Sequence, residues 1–264
     1  MYLTKSCYSE DHVLKRGTVK LGTLDHYRRT EIEQIADKNE GQLTFDLQIR
    51  RKTWIEIKWL NTFQPNVLLG APADAPVIFE GSTECQLNEL GIVETDDSHA
   101  LVDHADLFIK REAPNALIFC MSSGQTKEDC LGIFPQYDDQ WHILKDNKEI
   151  FSRHLGDSLR EIILAPDRGG LIDPTLSLSE LTIHCECRSV IYASRHTRFD
   201  EHTTIDINEL LQLMSTMSFI KPTNYASERE YRFSFHIRHL GKALPLLKDH
   251  AILKLSEECM RLVL

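Results

Sequence analysis

The densest grouping of reactive side chains is Tyr225-Ala226-Ser227-Glu228-Arg229-Glu230-Tyr231-Arg232-Phe233. Residues two apart in an extended chain share a face. Glu228 and Glu230 are therefore expected on one side at the start of a strand, with Arg232 beside them and Arg229 opposite. Carboxylates so close raise each other's proton affinity unless cations stand nearby. Such a pair can hold sugar hydroxyls and stabilise positive charge developing on a sugar ring. The same residues also read as a solvated strand face of Glu–Arg pairs, each worth about 0–1 kcal/mol.

Two further groupings carry chemistry-capable residues. Tyr2-Leu3-Thr4-Lys5, a short helix ending at Gly17, Val19–Thr23 and Asp25-His26-Tyr27-Arg28 supply a polar strand and an aromatic platform for a flat ring. The plain alternative is an edge unit with Tyr27 and Arg28 packed over its rim. Phe119-Cys120-Met121-Ser122-Ser123 reads as a buried strand ending in hydroxyls, which are also ordinary turn residues. No base lies near Cys120 in sequence to activate it, so it reads as core. Cys185-Glu186-Cys187, beside His184, is the one tight cysteine cluster, and no second ligand pair accompanies it. No metal is expected there; Ile183, Cys185 and Cys187 alternate as a core-facing strand would.

These residues must be positioned by regular elements. Strands are expected at Met1–Lys5, at 18–24 and through Ala116–Met121, where Ser122-Ser123-Gly124 closes the run. A helix over Glu10–Arg16, capped by Ser6 or Ser9, ends at Gly17, where a left-handed residue is needed. Residues 25–41 read as a helix or ordered loop closing on Asn39-Glu40-Gly41. Residues 42–59 alternate as a hairpin, with Ile55, Ile57 and Trp59 on its second strand and Arg50-Arg51-Lys52 in its turn. A loop over 64–76 precedes short strands and a helix-like stretch at His99–Phe108. Helices are expected at Ile150–Leu164 and at 206–219, the latter capped by Asp206 with Ile207, Leu210, Leu211 and Met214 as its apolar stripe. Ser189–Ala193 and Tyr231–Ile237 read as strands, and 244–264 as partly helical. A regular β-α-β rhythm and a glycine-rich phosphate loop are both missing, which argues against a doubly wound nucleotide-binding sheet.

The chain has 264 residues, 42% of them hydrophobic, enough for a substantial core. Its net charge of −10 opposes tight nonspecific binding to phosphate backbones, leaving only a local groove of Arg28, Arg29, Lys221 and Arg229 for such contact. No run of about 18 apolar residues is present, so no membrane helix is expected. Seven scattered cysteines and the absence of a signal-peptide pattern fit a cytoplasmic protein with reduced thiols.

Taken together, Met1–Lys5, the Gly17-Thr18-Val19-Lys20-Leu21-Gly22-Thr23-Leu24-Asp25-His26-Tyr27-Arg28 run, Asp37–Gly41, Phe119–Ser122, Lys221, Tyr225 and Glu228–Arg232 resemble a bacterial domain family seen in toxin and anti-phage settings. The opening also resembles ADP-ribosyltransferases, in which a polar first strand, a helix ending in Gly, a second strand and a late E-x-E strand build the site. The His or Arg of the family's first strand is replaced here by Tyr2, Thr4 or Lys5, and no Ser-Thr-Ser motif is present. The resemblance implies an α+β fold with split mixed or antiparallel sheets and peripheral helices. It implies one domain over 1–264, with a strand-rich insertion at about 42–110. It further implies that NAD is the substrate, lying in a cleft between two small sheets. Glu230 and Glu228 would be catalytic. Tyr2, Thr4, Lys5, Thr23 and Ser122 would line the NAD site, Tyr27 or Tyr225 would stack on nicotinamide, and Arg28 or Lys221 would neutralise the pyrophosphate. ADP-ribose would pass to RNA, DNA or protein, in a toxin–antitoxin or anti-phage system, with an antitoxin or chaperone as restraint. Two other readings compete: a non-catalytic nucleotide-sensing or interaction domain of the same fold, and a nuclease using Glu228 and Glu230 with a metal.

Overall fold

The computed structural model describes residues 1–29, 37–64, 68–70, 76–203 and 207–264. Asp206, residues 30–36 of the expected 25–41 segment, and much of the expected 64–76 loop lie outside them. In chain order the strands are β1 (Tyr2–Cys7), β2 (Thr18–Thr23), β3 (Gln42–Ile49), β4 (Thr53–Glu56), β5 (Ser82–Thr95), β6 (His99–Glu112), β7 (Leu117–Gly124) and β8 (Asp139–Leu144). They continue as β9 (Leu181–Ser189), β10 (Ile191–Tyr192), β11 (His196–Asp200), β12 (Ile220–Lys221), β13 (Glu230–His239), β14 (Lys242–Ala243) and β15 (His250–Lys254). The helices are α1 (Val13–Arg16), α2 (Leu24–Arg29), α3 (Ile57–Phe63), α4 (Lys148–Leu164), α5 (Ile207–Ser215) and α6 (Glu257–Met260). The fold is mixed α and β, with strands and helices in no regular alternation.

The chain divides into two compact units. The first comprises Met1–Glu40, Pro114–Tyr192 and Lys221–Leu264; the second comprises Gly41–Ala113 and Ala193–Ile220.

The first unit is organised by β7. One edge of β7 pairs antiparallel with β13, Leu117–Ser122 against Phe235–Glu230. Its other edge is shared between two strands that diverge. β2 takes Leu117 and Ile118, and β1 takes Ser122–Gly124. β1 leads on to β8, and β2 to β15. The sheet therefore forks at Phe119–Met121. A strand carbonyl left without a ladder partner must find another donor, and at Cys120 the Lys5 ammonium supplies it at 3.1 Å. Beneath the sheet, α4 buries Phe151, Leu155 and Leu159 at helical spacing against Phe119, Trp141, Phe233 and Phe235.

In the second unit β6 is central. It pairs antiparallel with β3 and β4 on one edge and with β5 on the other, while β11 adds parallel to β3. Phe45, Trp59, Phe63 and Phe199 form its aromatic centre. Among the described residues, no helix is long and apolar enough to cross a membrane.

Several expected elements take another form. β3 and β4 are not a hairpin with each other; both pair with β6. Ile57 and Trp59 lie in α3 instead of a strand, because Trp59 stacks on Phe63 one helical turn later, at 4.6 Å. His99–Phe108 is strand, not helix. Its alternation breaks where the register with β5 skips between Ile92 and Gly91, and that break imitates helical spacing. The Glu10–Arg16 helix is two pieces, a 3-10 turn at Ser9–Asp11 followed by α1. The His12 ring, not Ser6 or Ser9, accepts from the Leu14 N–H as its cap. Gly17 ends it at φ +65°, as the spacing required. The tail holds a strand, β15, as well as α6.

Candidate functional site

A cavity of about 90 Å³ opens in the fork of the first unit, and all of its lining residues belong to that unit. β1 contributes Thr4, Lys5 and Ser6; β7 contributes Cys120, Met121 and Ser122; β13 contributes Glu230 and Arg232. Tyr27 on α2, Glu40, Phe134, Tyr137, Lys221 and Glu228 complete the lining.

Its electrostatic centre is a chain of ion pairs. Lys221 Nζ lies 2.6 Å from Glu228 Oε2 and 2.9 Å from Glu230 Oε2. Arg232 Nε is 2.7 Å from Glu230 Oε1, and its Nη1 is 2.7 Å from Glu40 Oε1. Arg232, Glu230 and Glu40 are all buried. Burial alone would raise the Glu230 carboxyl, but Arg232 and Lys221 overcome it and hold Glu230 well below the ordinary carboxylate range. Glu228 goes the other way: burial raises it above 4.5, and Lys221 offsets that only in part. Burial opposes the positive charge of Lys221, yet Glu230 and Glu228 raise its pKa well above normal. Two carboxylates at one cavity, pushed in opposite directions, are how acid–base and electrostatic roles become separated.

The route by which Glu228 and Glu230 meet is not an extended strand. Glu228 ends a 3-10 turn over Thr223–Glu228, Arg229 turns left-handed at φ +46°, and only Glu230 opens β13. A non-glycine residue there stores about 1–3 kcal/mol of strain. It is held by the neighbouring backbone, since the Ser123 N–H donates to the Arg229 carbonyl at 2.8 Å. The Arg229 guanidinium turns outward to the Asp129 carbonyl.

Tyr27 reaches the cavity because position 22 is glycine: a Cβ there would stand 3.1 Å from the Tyr27 ring. Burial, then Cys120 and Glu230, push the Tyr27 phenol well above its ordinary range. The Cys120 thiol is raised for the same leading reason, and it hydrogen-bonds Glu230 instead of ionising.

Of the residues singled out in the sequence, Thr4, Lys5, Tyr27, Ser122, Lys221, Glu228 and Glu230 share this cavity. Tyr2, Thr23, Arg28 and Tyr225 do not line it. Tyr2 packs edge-on against His142. Thr23 is buried, its hydroxyl accepting from the His26 N–H at the start of α2. Arg28 donates to the Glu40 carbonyl at 2.6 Å and pairs with Asp25 at 2.9 Å. The Tyr225 ring lies 4.8 Å from the Lys221 ammonium. Both Arg28 and Lys221 are thus directed at protein oxygens. Glu40 and Arg232 were not assigned to the site from sequence. Their signal was present, an acidic turn residue and a third charge in register with Glu230, but nothing local joins residues 192 positions apart.

Cys185 differs from its core-facing reading. Ile183 and Cys187 are half-buried against the core, whereas Cys185 is exposed with its thiol 2.7 Å from the Ser152 hydroxyl. Among the described residues, no group of three or more His, Cys, Asp or Glu is placed to hold a metal ion. No protein-family model, no curated protein and no solved structure significantly matches the chain.

Proposed function

We propose that the fork cavity binds the nicotinamide–ribose end of NAD and that the chain is a toxin-like ADP-ribosyltransferase. The observation that carries this reading is the opposite bias of two carboxylates on one cavity wall, Glu230 kept ionised and Glu228 raised. An ionised, desolvated carboxylate stabilises the positive charge on ribose as the C–N bond breaks and its electron pair leaves with nicotinamide. Glu228 takes the proton from the attacking group of the acceptor, a base in nucleic acid or a protein side chain. Tyr27 offers a ring face to nicotinamide. At about 90 Å³ the cavity is smaller than a nicotinamide with its ribose, so it would seat only part of that end and the rest of the dinucleotide would extend through its mouth. Lys5 and Lys221 both line the cavity, but each is already engaged by protein oxygens, Lys5 by the Cys120 carbonyl and Lys221 by Glu228 and Glu230, so either would have to exchange a partner to meet the pyrophosphate.

One observation favours a non-catalytic nucleotide-binding domain. Both Glu230 oxygens already receive a cation, Arg232 on one and Lys221 on the other. A locked network of that kind also serves simply to build a rigid site. Incubation of the purified chain with labelled NAD and cell lysate separates the two. Transferase action predicts label in RNA, DNA or protein, lost by roughly 10²–10³-fold in Glu230→Gln. NAD binding without label transfer or nicotinamide release establishes the binding domain instead.

A further inference from the structure

A second hollow of the first unit, of about 750 Å³, lies between α4 and β9. Its floor is the inner face of β9 together with Ile237 of β13. Its wall carries one stripe of α4, Glu149, Arg153, Asp157 and Arg160, spaced four, four and three residues apart and all exposed. That spacing keeps them on one face of the helix. Apolar side chains stand open beside them: Leu164 is 52% exposed and Leu178 is 40% exposed.

The chain itself makes little use of this stripe. Among the described residues, Arg153, Asp157 and Arg160 form no ion pair, and Glu149 meets Lys148 at 4.0 Å and the Cys187 thiol at 3.8 Å. Arg153 precedes Asp157 by four residues, the order that pairs less well within a helix. Between them lies Gly156, in the middle of a 17-residue helix, where glycine costs about 1 kcal/mol relative to alanine. A Cβ there would meet Phe235 at 3.9 Å, an ordinary contact. Packing within the chain therefore does not demand a glycine, whereas the close approach of a second backbone is served by one.

The charges select the occupant. Along α4 the stripe reads acid, base, acid, base, and sums to zero in a chain of net charge −10. A partner of one strong sign gains nothing overall from it, while a second copy escapes the repulsion that the rest of the chain would impose. Read in the opposite direction the stripe is its own complement. Two copies laid antiparallel about a two-fold axis midway between Arg153 and Asp157 set each Arg153 beside the other's Asp157. Glu149 then falls within one residue's rise, about 1.5 Å, of the other copy's Arg160. Parallel copies would set like charge on like.

We propose that the α4–β9 groove is a docking surface for a second copy of the chain, with α4 packed antiparallel against α4 in a two-fold dimer that covers Leu164 and Leu178. This inference is independent of the chemistry assigned to the fork cavity.

The test is sedimentation velocity of the full chain over a range of concentrations, with wild type expected to show a monomer–dimer equilibrium. Arg153→Glu alone, and Asp157→Arg alone, each turn two symmetry-related pairs repulsive and should weaken the dimer roughly tenfold. An equimolar mixture of those two single variants should dimerise as wild type does, because each supplies the charge the other now lacks. The double variant Arg153→Glu/Asp157→Arg should recover likewise. Wild type that stays monomeric up to its solubility limit overturns the proposal. So does a dimer that the single variants leave unchanged, or one that neither the mixture nor the double variant restores. Circular dichroism checks that each variant is folded. Should either single variant not be, Glu149→Arg and Arg160→Glu repeat the same test on the outer pair.

Discussion

Glu228 and Glu230 are two residues apart and chemically opposite, and the difference comes from which cations each receives. Glu230 meets Arg232 and Lys221 from two sides while buried; Glu228 has only Lys221 among the described residues. The consequences for stability have opposite signs. Glu230 has its folded pKa depressed, so its contribution is present above 4.5 and is lost as pH falls below that value. Glu228 has its folded pKa raised, so its contribution is full below 4.5 and is lost as pH rises through the folded value. Glu230→Gln should therefore destabilise the first unit at neutral pH, by about 3–5 kcal/mol, because it strands buried cations. Glu228→Gln should leave the neutral-pH melting temperature unchanged or higher. Thermal melts across pH check both signs. The E-x-E spacing made the pair visible in the sequence. Their unequal environment was not visible, because it depends on Glu40 and Arg232, which only folding brings together.

At the scale of elements, the site depends on a fork and on one left-handed residue. Arg229 is the hinge that lets a 3-10 turn deliver Glu228 beside a strand delivering Glu230. Arg229→Gly should preserve the cavity, since glycine adopts φ +46° freely. Arg229→Val should lower stability by about 1–3 kcal/mol and weaken cavity binding, because a β-branched residue resists that conformation. Melting temperature and NAD titration of the two variants, compared side by side, provide the check. The strands that form the fork were legible, since β1, β2, β7 and β13 each carry a short apolar or alternating run closed by Gly, Ser or a charged turn. The fork itself was not. It is a statement about which strand stops pairing where, and the only local trace is Lys5, whose ammonium completes the Cys120 carbonyl. Where alternation was ambiguous the expected type failed, as at Trp59, whose stacking on Phe63 favours the helix.

For the molecule as a whole, the two units separate charge and chemistry. The fork cavity is built from first-unit residues alone, while residues 59–109, with nine acidic residues and no lysine or arginine, belong wholly to the second. Phe63, fully buried beside Trp59 and Phe199, anchors the second unit. Phe63→Ala should cost that unit about 3–5 kcal/mol while leaving NAD binding to the cavity unchanged. A denaturation curve paired with a ligand titration tests this division. No local signal indicated that 193–220 would join 41–113. The link is β11 lying parallel to β3, a pairing between segments about 150 positions apart that neither run of residues encodes by itself.

The most direct test follows the side-chain carboxyl carbons of Glu228 and Glu230 by NMR, assigned through their Gln variants, across pH and with added NAD. The account predicts that Glu230 stays ionised far below 4.5, that Glu228 titrates above 4.5, and that NAD shifts both resonances. Glu230 titrating near 4.5, with neither resonance responding to NAD, would contradict it.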